Sequence, residues 1–257
     1  AVVLLPFFWL SRSGLPVRDF GGGLAATLGL LAAVSLWRIR PRLPWRKAMP
    51  YAAILVLSFL LTGFPIFEFG DNWLSYGNND MTNYVLAAQR LVDYGFFDIP
   101  DTQAFAENRD ATLHYWIMHA VAGARPGSEL LLASVVGTLG KDGFRVYMPL
   151  MLALHMALIS AAGGLLLTHR RRRRIAAFAM FWMACSALIT LGTLYQLIAQ
   201  VYGMTVLCLA ATLVLRQPDT TRWKTAWKRG LLLAAVLSSL AIIYPEIVPF
   251  LVLTFLL

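Results

Sequence analysis

The run MPLMLALHMALISAAGGLLL, residues 148–167, decides the class of this protein. It carries no acid and no Lys or Arg, and it matches the roughly 20 apolar residues that a helix needs to cross a bilayer. It is not isolated. Residues 175–194 and 197–215 are runs of the same kind, joined by a very short turn at Tyr195 and Gln196. Residues 231–257 follow, interrupted at Tyr244, Pro245, Glu246 and Pro249. Proline breaks helical hydrogen bonding, so one span is expected to end near Tyr244. Upstream lie two more candidates, residues 48–66 and 21–37, while residues 2–10 are too short to cross and read as the tail of a truncated span. The first residue is not Met and the last ones stop inside an apolar run, so the chain reads as a piece of a longer protein. With 59% hydrophobic and 14% charged residues and a mean hydropathy of +0.66, the expected class is an all-α polytopic membrane protein. It divides into N-terminal membrane helices (1–66), a long extracytoplasmic loop (67–147) and further membrane helices (148–257).

The formal net charge of +9 is placed by topology rather than by a nucleic-acid partner. Three short connections each hold five Lys or Arg residues, within 38–47, 170–174 and 216–229. Residues 67–147 hold ten acids against five bases. Basic loops stay cytoplasmic, so the long loop is expected outside. The run of five arginines then serves as an anchor near anionic lipid. It lacks the interleaved aromatics and the presenting domain of a nucleic-acid site. Cys185 and Cys208 both sit in apolar runs and read as small hydrophobes.

Within the long loop, GNNDMTNYVLAAQRLVDYGFF (residues 77–97) reads as an amphipathic helix. Asn78 or Asn79 would cap it, Asp80 falls in the first turn where negative charge is favoured, and Gly95 supplies a stop. Val85, Ala88 and Val92 recur at helical spacing, so the helix is expected to lie along the membrane surface. His114 and His119 are five apart, the wrong spacing for a metal pair on one helical face, and read as hydrogen-bonding or substrate-facing groups. Residues 129–139 form a second, half-buried helix. No phosphate-cradling glycine loop, Ser-His-Asp set or CxxC is present. The assumed orientation brings Asn79, Asp80, the Tyr195–Gln196 turn and the Tyr244–Pro245–Glu246 break to one membrane face. A carboxylate such as Glu246 at the edge of apolar runs is costly, and is a functional candidate for that reason.

Asn79 and Asp80 after an early span, then Tyr84, Ala87, Ala88 and Gly95, resemble the entry of the GT-C superfamily of membrane glycosyltransferases. In that family an extracytoplasmic loop carries an acidic motif and continues as a juxtamembrane helix. The likeness covers residues 51–167, and this chain has Asn79 where the family often has a second acid. The resemblance implies a bacterial plasma-membrane enzyme that moves a sugar from a polyprenyl-phosphate donor to a lipid, glycan or protein acceptor. Asp80 would be the general base. Arg90 or Arg145 would offset the donor phosphate, the alternative for Arg90 being to snorkel beside Asp93. Gln196 and Glu246 would contact sugar hydroxyls or hold Asp80, with Asn79 beside it. Trp73, Tyr76 and Tyr84 would stack on a sugar ring. The family leaves room for a divalent cation, for which the sequence offers no strong ligand set. Two other readings compete. One is a non-catalytic scaffold or accessory subunit with protein partners in a larger complex. The other is a transporter, disfavoured because the spans within 148–215 hold no acid and only His155 as a readily protonated group away from their ends. An enzyme requires Asp80, Gln196 and Glu246 to meet at one cavity with room for a lipid tail.

Overall fold

The computed structural model describes residues 3–39, 45–76, 79–170, 173–215, 223–249, 251 and 253. Among these, every regular element is helical and no strand occurs. The helices are α1 (Leu4–Arg12), α2 (Val17–Ile39), α3 (Trp45–Gly63), α4 (Ile66–Phe69), α5 (Asn79–Asp93), α6 (Thr102–Ala106), α7 (Thr112–Trp116), α8 (Gly127–Leu139), α9 (Gly143–Arg170), α10 (Arg173–Ala184), α11 (Ala187–Leu194), α12 (Ile198–Leu215) and α13 (Trp223–Ile243). Three of them, α2, α9 and α12, are long and apolar enough to cross a membrane. Two bent pairs raise that number to five if each is one span. The segment after α3 turns by 65°, and α10 meets α11 at 51°.

The expected single span over 175–194 is therefore two helices, parted at Cys185 and Ser186. The N-terminal run is a short helix, with Leu4, Phe7 and Ser11 of α1 buried and α1 packed on α8. The break after α13 falls where the prolines placed it, with a 3-10 turn at Pro245–Ile247. Much of the basic charge, at residues 40–44, 171–172 and 216–222, lies outside the described residues, as do Gly77 and Asn78.

Hydrogen bonds define two ends of the bundle. At one end the Tyr51 hydroxyl donates to the Arg173 carbonyl (3.3 Å), and Arg229 donates to the Leu213 carbonyl (2.7 Å). The starts of α3 and α10 thus lie together, as do the end of α12 and the start of α13. At the other end the Tyr147 hydroxyl donates to the Gln196 carbonyl (2.8 Å) and Ser75 to the Leu194 carbonyl (3.0 Å). Between the ends, His155 of α9 is fully buried. Its Nε2 faces Ser58 at 3.0 Å and its Nδ1 faces Thr193 at 2.8 Å. Both ring nitrogens are thus engaged, which accounts for this histidine as a pin between α3, α9 and α11.

Residues 67–147 do not pack separately. Met81, Val85, Ala88 and Leu91 of α5, Leu130, Leu132 and Ala133 of α8, and Tyr147, Met148 and Met151 of α9 share one core. The apolar side of α5, expected to rest on the membrane surface, packs on α8 and α9. Gly95 is not a left-handed stop either, since α5 already ends at Asp93. It is needed for closeness. A Cβ there would lie 2.5 Å from the Gly14 carbonyl carbon, where backbone abuts backbone.

Candidate site at the mouth of an apolar groove

The second of these ends gathers the polar groups. The α5 helix begins at Asn79, which is exposed, and carries a half-buried Asp80 in its first turn and a half-buried Tyr84 one turn on. Asp80 and Glu129 are both near enough to Tyr84 and Tyr147 to act on them electrostatically. The Tyr84 and Tyr147 rings lie 6.3 Å apart between centroids. Burial, then the nearby Glu129, push the Tyr84 phenol up from 10.0 to about 12. Arg125 opposes this by its charge and a hydrogen bond. Tyr84 thus remains an O–H donor across the physiological range.

A phenol whose proton is held more tightly in the folded chain stabilises the fold below pH 10, and that contribution is lost as pH rises through about 12. The stability difference between the parent and Tyr84→Phe is therefore expected to be flat below pH 10 and to shrink from 10 to 12. Denaturation at a series of pH values reads it directly.

Arg125 precedes α8 and links the groups. Its Nη1 donates to both carboxylate oxygens of Glu246 at 2.6 Å, and its guanidinium carbon lies 4.9 Å from the Tyr244 ring centroid. On the protein side, Glu129 faces the buried His119, with 3.7 Å between Oε1 and Nε2. Glu129 Oε2 and His119 Nδ1 are buried without a hydrogen-bond partner. Such atoms need water or a ligand to satisfy them.

Beside Glu246 opens a groove of about 980 Å³ between α9, α11 and α12. Its walls are apolar, with Leu158, Ala162, Ile189, Met204 and Cys208 among them, and Tyr195, Gln200, Tyr244 and Glu246 supply its polar groups. From Gln200 to Cys208 the groove follows α12 for eight residues, about 12 Å at 1.5 Å per residue.

Of Asp80, Gln196 and Glu246, expected to meet at one cavity, only Glu246 lines this groove, and two of the expected site residues, Arg90 and Gln196, lie elsewhere. Arg90 is fully buried, and its Nη2 donates to the carbonyls of Gly95 (3.2 Å), Phe96 (2.8 Å) and Asp98 (2.9 Å). It neither snorkels nor meets a ligand at the surface. Gln196 is also fully buried, with a positive φ of 65°. Its Nε2 donates to the Leu74 carbonyl at 2.5 Å, so it ties the loop before α5 to the α11–α12 turn rather than facing the groove. Gln200, one turn later, takes the groove-facing place. Trp73 is buried in the core, whereas Tyr76 is exposed and lies 5.5 Å from Tyr195 between ring centroids. Among the described residues no group of three or more His, Cys, Asp or Glu side chains could hold a metal ion.

Arg125 and Glu129 carry no motif in the sequence, although their isolation is a signal. Between Asp110 and Lys141 they are the only acid or base other than histidine, four residues apart across the start of α8. No protein-family model, curated protein or solved structure matches the chain.

Proposed function

We propose that this chain is the membrane-embedded part of a glycosyltransferase that takes a sugar from a polyprenyl-phosphate donor. The observation that carries the reading is the Arg125–Glu246 pair at the mouth of an apolar groove, with Tyr84 hydrogen-bonded to Arg125 and Asp80 near enough to Tyr84 to act on it electrostatically. An amphiphilic donor has that same polarity, with a long apolar chain ending in a phosphosugar.

Membrane residence is supported by α2, a 23-residue apolar helix in which only Val17 and Gly21 are buried. Water is a poor neighbour for Leu30, Leu31, Val34 and Leu36, all exposed on it. The sidedness follows from the basic connections. They would meet the cytoplasm, with the Asp80 end facing outward.

In the reaction, Asp80 accepts the proton of an acceptor hydroxyl. The freed oxygen attacks the anomeric carbon, and the bond from that carbon to the phosphate oxygen breaks. The electron pair leaves with the polyprenyl phosphate, whose added negative charge Arg125 offsets. Tyr84, protonated, donates to an oxygen of the phosphosugar. Arg125 thus replaces Arg90 and Arg145 as the phosphate-facing cation, and Gln200 replaces Gln196 beside the groove.

The test is transfer from radiolabelled polyprenyl-phosphate sugars in proteoliposomes holding the full protein. Label appearing in an acceptor, or released to water, supports the enzyme. Binding of the donor without turnover for any sugar would leave a scaffold or accessory subunit instead.

A further inference from the structure

Glu246 was expected to contact sugar hydroxyls, yet both of its oxygens already face one nitrogen of Arg125. The pair is open to solvent, with the two side chains 30% and 60% exposed. Arg125 also covers the Tyr244 ring, and both Tyr244 and Glu246 line the groove. One guanidinium therefore holds the groove's polar end by two contacts. The backbone beneath is closely packed: at Gly127 a Cβ would come within 2.6 Å of the Ile242 carbonyl oxygen and the Ile243 Cα, so the start of α8 is pressed on the end of α13.

We infer that Glu246 is a place-holder for phosphate: it occupies Arg125 until the phosphate of a lipid lying in the groove displaces it. The inference rests on the lipid-donor reading above. Charge selects the occupant. Arg125 reaches the polar end of the groove through Glu246 and Tyr244, no Lys or Arg among the described residues lines the groove itself, and a phosphate offers a guanidinium more oxygens and more charge than one carboxylate. The exchange costs little, because an exposed ion pair contributes little. The released Glu246 carboxylate returns to the solvent it already touches. The place-holder also keeps the Arg125 charge compensated beside the apolar wall, and it makes phosphate-free lipids poor competitors for the polar end.

The experiment measures binding of a long polyprenyl monophosphate and of the matching polyprenol to the full chain in nanodiscs of zwitterionic lipid. Inorganic phosphate serves as competitor. Glu246→Gln keeps the shape and removes the charge. It is expected to tighten monophosphate binding relative to polyprenol binding about two- to five-fold, the worth of one exposed ion pair. Arg125→Gln is expected to weaken the monophosphate relative to polyprenol about ten-fold and to erase the effect of Glu246→Gln when the two are combined. The unfolding temperature of each variant reports that the protein is intact.

If the parent binds the monophosphate and Glu246→Gln weakens it or leaves it unchanged, the place-holder role is wrong while the groove reading survives. If the parent binds monophosphate and polyprenol equally, Arg125 is no phosphate receptor and the inference falls on that point. Binding of neither lipid overturns the groove reading and the place-holder together. Complete displacement by about 1 mM inorganic phosphate would mean that the site reads free phosphate and not a lipid.

Discussion

Asp80→Asn is expected to lower sugar transfer by about 10²- to 10⁴-fold, the usual contribution of a positioned general base. Asparagine keeps the size of the side chain and one acceptor oxygen, but it cannot take a proton from the acceptor hydroxyl. Donor binding is expected to change little, because Asp80 is not among the groove-lining residues. The loss would thus appear in kcat, with the KM for the donor within about three-fold of the parent. A second variant guards against a wrong choice of base. Glu129 is the other carboxylate that acts on Tyr84, and its Oε2 has no partner. Transfer that survives Asp80→Asn but is abolished in Glu129→Gln would move the base to Glu129. Survival of full turnover in both would remove proton abstraction by a carboxylate at this end of the bundle.

What could be read from the sequence depended on how local the cause was. The apolar run at 197–215 became α12 nearly residue for residue, and the run at 148–167 forms the middle of the longer α9, because hydrophobic length acts within one element. The cap-and-acid signal at Asn79 and Asp80 likewise placed the start of α5. The environments of polar side chains were not local. Nothing in the spacing of Arg90 announces that the chain folds back and turns the carbonyls of Gly95, Phe96 and Asp98 onto it. The amphipathic pattern of α5 called for an apolar neighbour without saying whether lipid or α8 would supply it. Gln196 was placed correctly at the turn, but its positive φ directs the side chain into the protein. The Arg125–Glu246 pair joins residues 121 positions apart. One partner, Glu246, stood out from the sequence, and the other required the fold.

Arg90 carries the second large expected effect, on stability and not on binding. Its side chain is fully buried, and one nitrogen gathers three carbonyls from the turn after α5. The same turn is held to α1 by Phe96 N–H donating to the Ser11 carbonyl at 2.8 Å. Gly95 touches Gly14, so losing the turn would also free the α1–α2 connection. Arg90→Met retains apolar volume but strands the buried carbonyls of Gly95 and Phe96 and releases that of Asp98. Each hydrogen bond to a charged donor is worth about 1.5–3 kcal/mol, and part of that sum is returned because no charge need be buried. The net loss expected is about 2–5 kcal/mol, read as a lower unfolding temperature of the purified protein in detergent. Arg90→Lys keeps a charge and three donors on a different stem, and is expected to lose less. Between pH 6 and pH 9 no pH dependence of this deficit is expected. Burial lowers the Arg90 pKa from 12.5 to about 10, with Asp98 and then Tyr94 working against it. Both folded and unfolded chains therefore hold the proton below pH 10, and the Arg90→Met deficit is expected to be the same at pH 6 and pH 9. Were Arg90 a phosphate contact or a snorkelling surface residue, Arg90→Met would leave the unfolding temperature in place and raise the donor KM, the reverse of what this buried geometry requires.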